Sequence, residues 1–284
     1  DHLGTPIDDE PAYGKILKES KPFFDGLASR YLEDGKEQGV GLLHHPSASG
    51  YAHTVDGKKF EELYPYDNGW AMVVQACGMP VTFEPSGVIA VTGQVFRAFD
   101  KDKIMEFLSK GVLLDASAAN VLIEEGYGQY LGVEIKRWLT NWDIPVTAEK
   151  ITDPQFSKYC ETYMTLTRLT NSQRLVELAL LEGARAVSAL VNPDRREILP
   201  GLVLCENKLG GRVAVYPFDL QYGISKAFLS WHRKRQLSTV IKWLFREKLP
   251  LFVEGGALML SLRTDYQNYT MISIANLNTD KWDC

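Results

Sequence analysis

Apolar positions along this chain follow two periods that alternate. Short unbroken apolar runs read as buried strands: "VGLLHH" (40–45), "PVTFEP" (80–85), "GVIAVTG" (87–93) and "VLLD" (112–115). Between them lie stretches with helical spacing. Asp67 or Asn68 can cap a helix running through Ala76, with Gly78 as the residue just past its end. Asp100 or Asp102 caps "KIMEFLSK", which ends at Gly111. "ANVLIEE" is stopped by Gly126. Further on, "ARAVSALVN" and "GLVLCEN" read as strands around the turn "NPDRRE", and "GGRVAVYPFDL" as a strand entered by a glycine pair. A long helix over 226–246 follows, with Phe228, Leu229, Leu237, Val240, Ile241 and Leu244 on one face and "HRKR" exposed. Strands alternating with helices predict an α/β fold, a mostly parallel sheet with helices on both faces.

The two ends depart from this pattern. Ile16, Leu17, Phe23, Phe24, Leu27 and Tyr31 recur at helical spacing over 13–32, and Pro22 starts or kinks the second part. In the tail, Leu258, Leu260 and Leu262 alternate with Met259, Ser261 and Arg263, and Thr270, Ile272 and Ile274 alternate likewise across the turn "DYQN". That predicts a hairpin with one buried face. The expected domains are a linker loop and helix over 1–35, an α/β domain over 36–248 and the start of a small β-domain over 249–284. Residues 133–183 show no clean period and read as an insertion.

Composition narrows the classes. With 284 residues, 45% of them hydrophobic, the chain can bury one large core or two smaller ones. A formal net charge of −5 without like-charge blocks gives no support for a nucleic-acid or anionic-membrane partner. No apolar run reaches the roughly 18 residues of a membrane span. Cys77, Cys160, Cys205 and Cys284 form no CxxC pair and read as free, mostly buried thiols. The start at Asp1 without Met and the end just after a strand-like run suggest part of a longer polypeptide. The compartment stays open between cytoplasm and periplasm.

"KGVLLDASAANVLIEEGYGQYLGV", and "GGRVAVYPFDL" followed by "RKRQLSTVIKWL", resemble the class I glutamine-amidotransferase-like domain. The version is that of multidomain glycoside hydrolases, the beta-galactosidase trimerisation domain. The likeness covers about 36–246, and the head "EPAYGKILKESKPFFDGLA" is similar to the linker that follows the catalytic barrel. The resemblance implies a three-layer flavodoxin-like fold, a homo-oligomer, and a catalytic barrel elsewhere in the parent chain carrying the glycoside-cleaving carboxylates. An active amidotransferase needs Cys at a strand-to-helix turn and a His after a later strand. Carried onto this chain, those positions fall at Ala116 and Tyr216, so the elbow Asp115-Ala116-Ser117 is expected to be degenerate.

Individual residues suggest other chemistries. Ser117 with His44 or His45 would make a serine hydrolase or amidase, whereas Asp115 or Ser117 could simply cap the helix. His44, His45 and His53 with Asp56 could suggest a metal, but adjacent strand residues point to opposite faces, and no metal is expected. Tyr51, Tyr64, Tyr66, Trp70 and Trp231 are candidate ligand-binding aromatics, able to stack on carbohydrate or to anchor an interface. Gly210-Gly211 precedes a strand, so no dinucleotide site and no cofactor is expected. The sequon Asn268-Tyr269-Thr270 carries no weight. The leading expectation is a non-catalytic oligomerisation and support domain of a glycoside hydrolase. The alternatives are a serine hydrolase and a carbohydrate-binding module.

Overall fold

The computed structural model describes residues 11–31, 35–54, 63, 69–84, 87–154, 161–165, 174–220, 230–254 and 259–276. In chain order the first elements are α1 (Pro11–Ala28), β1 (Lys36–Gln38), β2 (Val40–Leu42), α2 (Ala48–Tyr51), α3 (Gly69–Ala76), β3 (Val81–Thr82) and β4 (Val88–Val91). Next come α4 (Lys101–Leu108), β5 (Gly111–Leu114) and α5 (Ala116–Glu124). The middle of the chain is strand-rich: β6 (Val133–Thr140), β7 (Ala148–Ile151), β8 (Tyr163–Thr165), β9 (Arg174–Leu180), β10 (Ala184–Ala186), β11 (Ser188–Val191), β12 (Glu197–Pro200), β13 (Val203–Glu206) and β14 (Arg212–Val215). The chain then forms α6 (Trp231–Leu244), β15 (Met259–Asp265) and β16 (Thr270–Asn276).

The fold is mixed α/β around a seven-stranded sheet of order β10-β13-β14-β5-β4-β2-β3. Strands β14, β5, β4, β2 and β3 run parallel, and β13 and β10 are added antiparallel at one edge. The apolar runs are continuous because both faces are covered. Val40, Leu42, Val88, Ala90, Leu113 and Ala214 form one core cluster with residues of α3 and α6. Their strand neighbours Ile89, Val91, Val112, Leu114, Val213 and Val215 form the other with residues of α4 and α5. Asp100 caps α4, its carboxylate accepting the Lys103 N–H at 2.8 Å. Gly78 ends α3 with φ +86°, where a Cβ would lie 2.2 Å from the Val253 carbonyl oxygen, so only glycine fits.

The region 133–183, read from sequence as an insertion, is largely β-structure. β6 and β9 form an antiparallel ribbon, and β7 and β8 join β11 and β12 in a four-stranded sheet. The missing period has a cause: the register of β6 against β9 shifts between Ile135 and Arg137, and a bulge puts consecutive alternations out of phase. "ARAVSALVN", read as one strand, is two. β10 belongs to the seven-stranded sheet and β11 to the four-stranded one. Val187 is the crossing point, donating to the Leu202 carbonyl at 2.9 Å and accepting from Thr152 at 3.1 Å.

"HRKR" was expected to be exposed, and Arg233 within it is fully buried. It forms an ion pair with Glu149 of β7, which is equally buried. Glu149 also accepts from Ser188 of β11 at 2.5 Å and from the Gln236 amide at 3.0 Å. Gln236 in turn accepts from Arg233 and from the Tyr216 hydroxyl, the latter at 3.1 Å. Burial alone would lower the Arg233 pKa, but the Glu149 charge and the hydrogen bonds outweigh it and keep the guanidinium charged. The cluster therefore links the four-stranded sheet, α6 and the segment after β14.

The chain divides into two compact units, one of residues 1–36 with 264–271, the other of 37–263 with 272–284. In the first, α1 carries no buried residue, and Phe23 and Phe24 are 69% and 57% exposed. The Tyr269 hydroxyl there donates to the Arg30 carbonyl at 3.2 Å. β15 and β16 are neighbouring strands, but the buried face expected of them is not sealed: Ile272 and Ile274 are 50% and 52% exposed. Residues 221–229, with Phe228 and Leu229, lie outside the described residues.

Removing one partner of the buried pair leaves the other charge unpaired in the core. Arg233→Met or Glu149→Gln alone should cost about 3–5 kcal/mol. Arg233→Met combined with Glu149→Leu should cost less than either single change. Urea unfolding of the three variants checks the ordering.

Candidate functional site

The turn between β5 and α5 places Asp115, Ala116 and Ser117 at the carboxyl end of the parallel strands. Asp115 is the N-cap of α5 and is fully buried. One carboxylate oxygen accepts the Ala118 N–H at 2.8 Å, and the other accepts the Leu220 N–H at 2.9 Å. Gly93 adds a third backbone donor. The Ala116 N–H is donated to the Phe218 carbonyl at 2.9 Å, so the elbow and the segment after β14 are stitched together from both sides. Ala116 itself is a buried methyl group.

Ser117 has its own buried partner. Its hydroxyl donates to the Asp219 carboxylate at 2.8 Å, and Asp219 is fully buried. The Arg174 guanidinium stands 3.7 Å from the other Asp219 oxygen. Burial, and then the charge of Asp219, hold the Asp115 carboxyl well above its ordinary value; the three backbone donors oppose this.

Above Ser117 lies a cavity of about 210 Å³. Its walls come from several elements. His53 follows α2, and its backbone N–H and carbonyl are held by the Gln94 side chain at 3.2 and 2.9 Å. Gln94 follows β4, and Arg97 lies one turn later. Asn120 and Glu124 extend along α5 from Ser117. Trp138 of β6 and Arg174 of β9 close the far wall, the guanidinium carbon 4.3 Å from the indole centroid. Arg97 is paired with Glu124 and Glu125 and donates to Gln94 at 2.9 Å.

The candidate residues named from sequence do not gather at this cavity. Ser117 lines it, and the histidine beside it is His53 rather than His44 or His45. His45 instead accepts the Ser47 N–H and packs edge-on against Phe99. Tyr216 sits in the core cluster of α3 and α6, while Ala116 sits in that of α4 and α5. Burial raises the Tyr216 phenol above its ordinary range. Trp70, a candidate ligand-binding aromatic from the sequence, is instead a core residue. It is 1% exposed, donates its indole N–H to Val91 at 3.1 Å, and has no ring face to offer. Tyr51 and Trp231 are exposed but do not line the cavity, and Tyr64, Tyr66 and Asp56 lie outside the described residues. Among the described residues no group of His, Cys, Asp and Glu could hold a metal ion. Cys77 and Cys205 are buried free thiols; Cys160 and Cys284 lie outside the described residues.

Asp219, Arg174, Trp138 and Gln94 were missed. Asp219 carried a signal, since it is a lone acid in the apolar run "VAVYPFDL". Arg174 and Trp138 carried none, because they meet only through the β6–β9 pairing.

None of the protein-family models and none of the curated proteins matches this chain. Among solved structures, alpha-L-fucosidase isoenzyme 2 from Paenibacillus thiaminolyticus matches with a TM-score of 0.58 at 10% identity, over 94% of this chain and 41% of that one. The exo-beta-1,4-mannosidase Op5Man5 from Opitutaceae bacterium strain TAV5 gives 0.41 at 16% identity, over 84% of this chain and 40% of that one. The mmIFT52 N-terminal domain gives 0.37 at 13% identity, over 56% and 77%. The chain is thus similar in fold to a region of a glycoside hydrolase, and spans about two fifths of the fucosidase's length.

The raised Asp115 pKa has a pH consequence. Folding takes up a proton at this carboxyl between its ordinary value of 3.8 and the higher value in the fold. Across that window its contribution to stability falls as pH rises. Asp115→Asn removes the dependence, so the stability difference should move in the variant's favour with rising pH. Melting temperatures from about pH 4 to about pH 8 check this, and a flat difference contradicts it.

Proposed function

We propose that this chain is a non-catalytic support and oligomerisation region of a glycoside hydrolase, built on an amidotransferase-like domain whose nucleophile is lost. The carrying observation is the elbow. Its reactive position is the buried methyl of Ala116, and the neighbouring Ser117 hydroxyl is engaged by a carboxylate. A carboxylate is a weak base for a serine, and the arrangement orients the hydroxyl rather than activating it. The parallel order β3-β2-β4-β5-β14 is the 2-1-3-4-5 order of flavodoxin-like folds, which supports the three-layer reading. The neighbouring β15 and β16 support the reading of a C-terminal hairpin, the first strands of a small β-domain.

The support role rests on apolar surface. On α1, Tyr13, Ile16, Leu17, Phe23 and Phe24 are all exposed, and Ile272 and Ile274 protrude from β16. A helix with such a stripe is stable when a partner covers it. The proposed cover is the catalytic barrel of the parent chain or a second copy of this region. The serine hydrolase reading retains one favourable observation: His53 lines the same cavity as Ser117.

Two measurements test the proposal. Purified protein should turn over neither p-nitrophenyl acetate nor L-glutamine; turnover abolished by Ser117→Ala would overturn it. The protein should also assemble in light-scattering measurements. Phe23→Asp with Phe24→Asp should reduce the mass while shifting the melting temperature by no more than about 2 °C, as for exposed sites. A monomeric wild type would contradict the oligomerisation role.

A further inference from the structure

We infer that the cavity above Ser117 is a binding site for one neutral, polyhydroxylated molecule the size of a single sugar ring. Its position is the first argument. Parallel strand order reverses between β2, whose next strand pairs on one side, and β4, which pairs on the other. The walls are built by segments that follow β2, β4 and β5, together with Trp138 and Arg174. Open α/β sheets bind ligands at the carboxyl ends of strands at such a reversal.

Size and charge set the class. A cavity of about 210 Å³ has room for one ring-sized molecule. Two guanidinium groups, Arg97 and Arg174, face the site, and both are already set against carboxylates. The carboxylates of Glu124, Glu125 and Asp219 offset both guanidinium groups, so the lining has no surplus positive charge to select a phosphate or carboxylate, and a neutral ligand suits it.

The hydrogen-bonding pattern suits hydroxyl groups, which donate and accept at once. Ser117 gives its proton to Asp219 and so presents its oxygen as an acceptor. Asn120 donates to Glu124 at 2.7 Å, which leaves its amide oxygen as a second acceptor. The guanidinium edges supply donors, and Glu124 accepts. Planar guanidinium and carboxylate groups bridge neighbouring hydroxyls in pairs, and Trp138, whose ring carries the Arg174 guanidinium, adds an apolar part to the wall. These residues are distinct from the aromatic set singled out in the sequence.

The test is titration calorimetry of the purified chain with D-mannose, L-fucose, D-galactose and D-glucose, with inorganic phosphate as the charged control. At least one sugar should bind saturably and phosphate should not. Asn120→Trp, which fills the mouth from a partly exposed position on α5, should weaken binding by about tenfold or more. Ser117→Ala should weaken it by roughly three- to tenfold, the loss of one hydrogen bond. Melting curves confirm that both variants fold. No saturable binding by any of the four sugars, phosphate binding in their place, or affinity unchanged in both variants would overturn the inference. Assembly mass and the absence of turnover are read separately, so failure here leaves the support role standing.

Discussion

The buried pair of Glu149 and Arg233 is the interaction on which the larger compact unit depends. It sits where three pieces meet: the four-stranded antiparallel sheet, α6, and the turn leaving β14. A charge pair in such a place is costly to desolvate and stays favourable only when its remaining hydrogen-bonding capacity is filled. Ser188 and Gln236 take up much of it. Gly201 makes the approach possible, since a Cβ there would lie 2.3 Å from the Ser188 hydroxyl. The Ser188 oxygen also accepts the N–H of Leu202, just past β12, at 2.8 Å, so the segment leaving the β11–β12 pair is tied through Ser188 to the same acid. A purely apolar contact would permit sliding; directional bonds to one carboxylate fix a single register between sheet and helix.

A second constraint shapes the strand-to-helix turn between β5 and α5. Asp115 caps α5 and at the same time fixes Leu220, while the Ala116 N–H fixes Phe218. The strand-to-helix turn is therefore held by the Asp115 carboxylate and by the Ala116 backbone, independently of the Ala116 side chain. Asp219 arrives at Ser117 as a consequence of the same stitching, with β9 guiding it: the Asp219 N–H is donated to the Arg174 carbonyl at 3.1 Å. Burial, and then the nearby charge of Asp219, raise the cost of ionising Asp115, which is why it titrates high. The stress is local and is balanced by the caps it serves.

Much of the parallel sheet could be read in advance because its strands are buried on both faces and its helices carry caps. Asp100 and Asp115 stand at the helix starts, and Gly78 takes the left-handed conformation just past α3. The strand-rich middle was not legible for physical reasons. The bulge in β6 breaks alternation, and the change of sheet at Val187 leaves no mark in hydrophobicity. Arg233 illustrates a signal present but overlooked. With Gln236, Leu237, Val240, Ile241 and Leu244 it falls on the apolar stripe of α6, and a charged residue on a buried stripe demands a buried partner. The partner, Glu149, lies 84 residues away, and only the fold brings them together. The candidate cavity belongs to the same class: Ser117 could be named from its motif, but Trp138 and Arg174 could not.

The distribution of apolar surface separates two kinds of work. The core clusters are closed, with Trp70, Tyr216 and Phe218 fully enclosed, and the polar cavity at the elbow is small and charge-balanced. The apolar excess lies elsewhere, on α1 and on the outer positions of β16. An amphipathic helix of 18 residues with no buried side chain gains nothing from the hydrophobic effect within its own unit. Its single internal proline further removes one backbone hydrogen bond. Such a helix is held by what it covers, and the ion pair of Lys21 with Asp25 on its exposed face is too weak to substitute. The polar cavity thus lies at the carboxyl ends of the parallel strands, while exposed apolar side chains are concentrated on α1 and on β16.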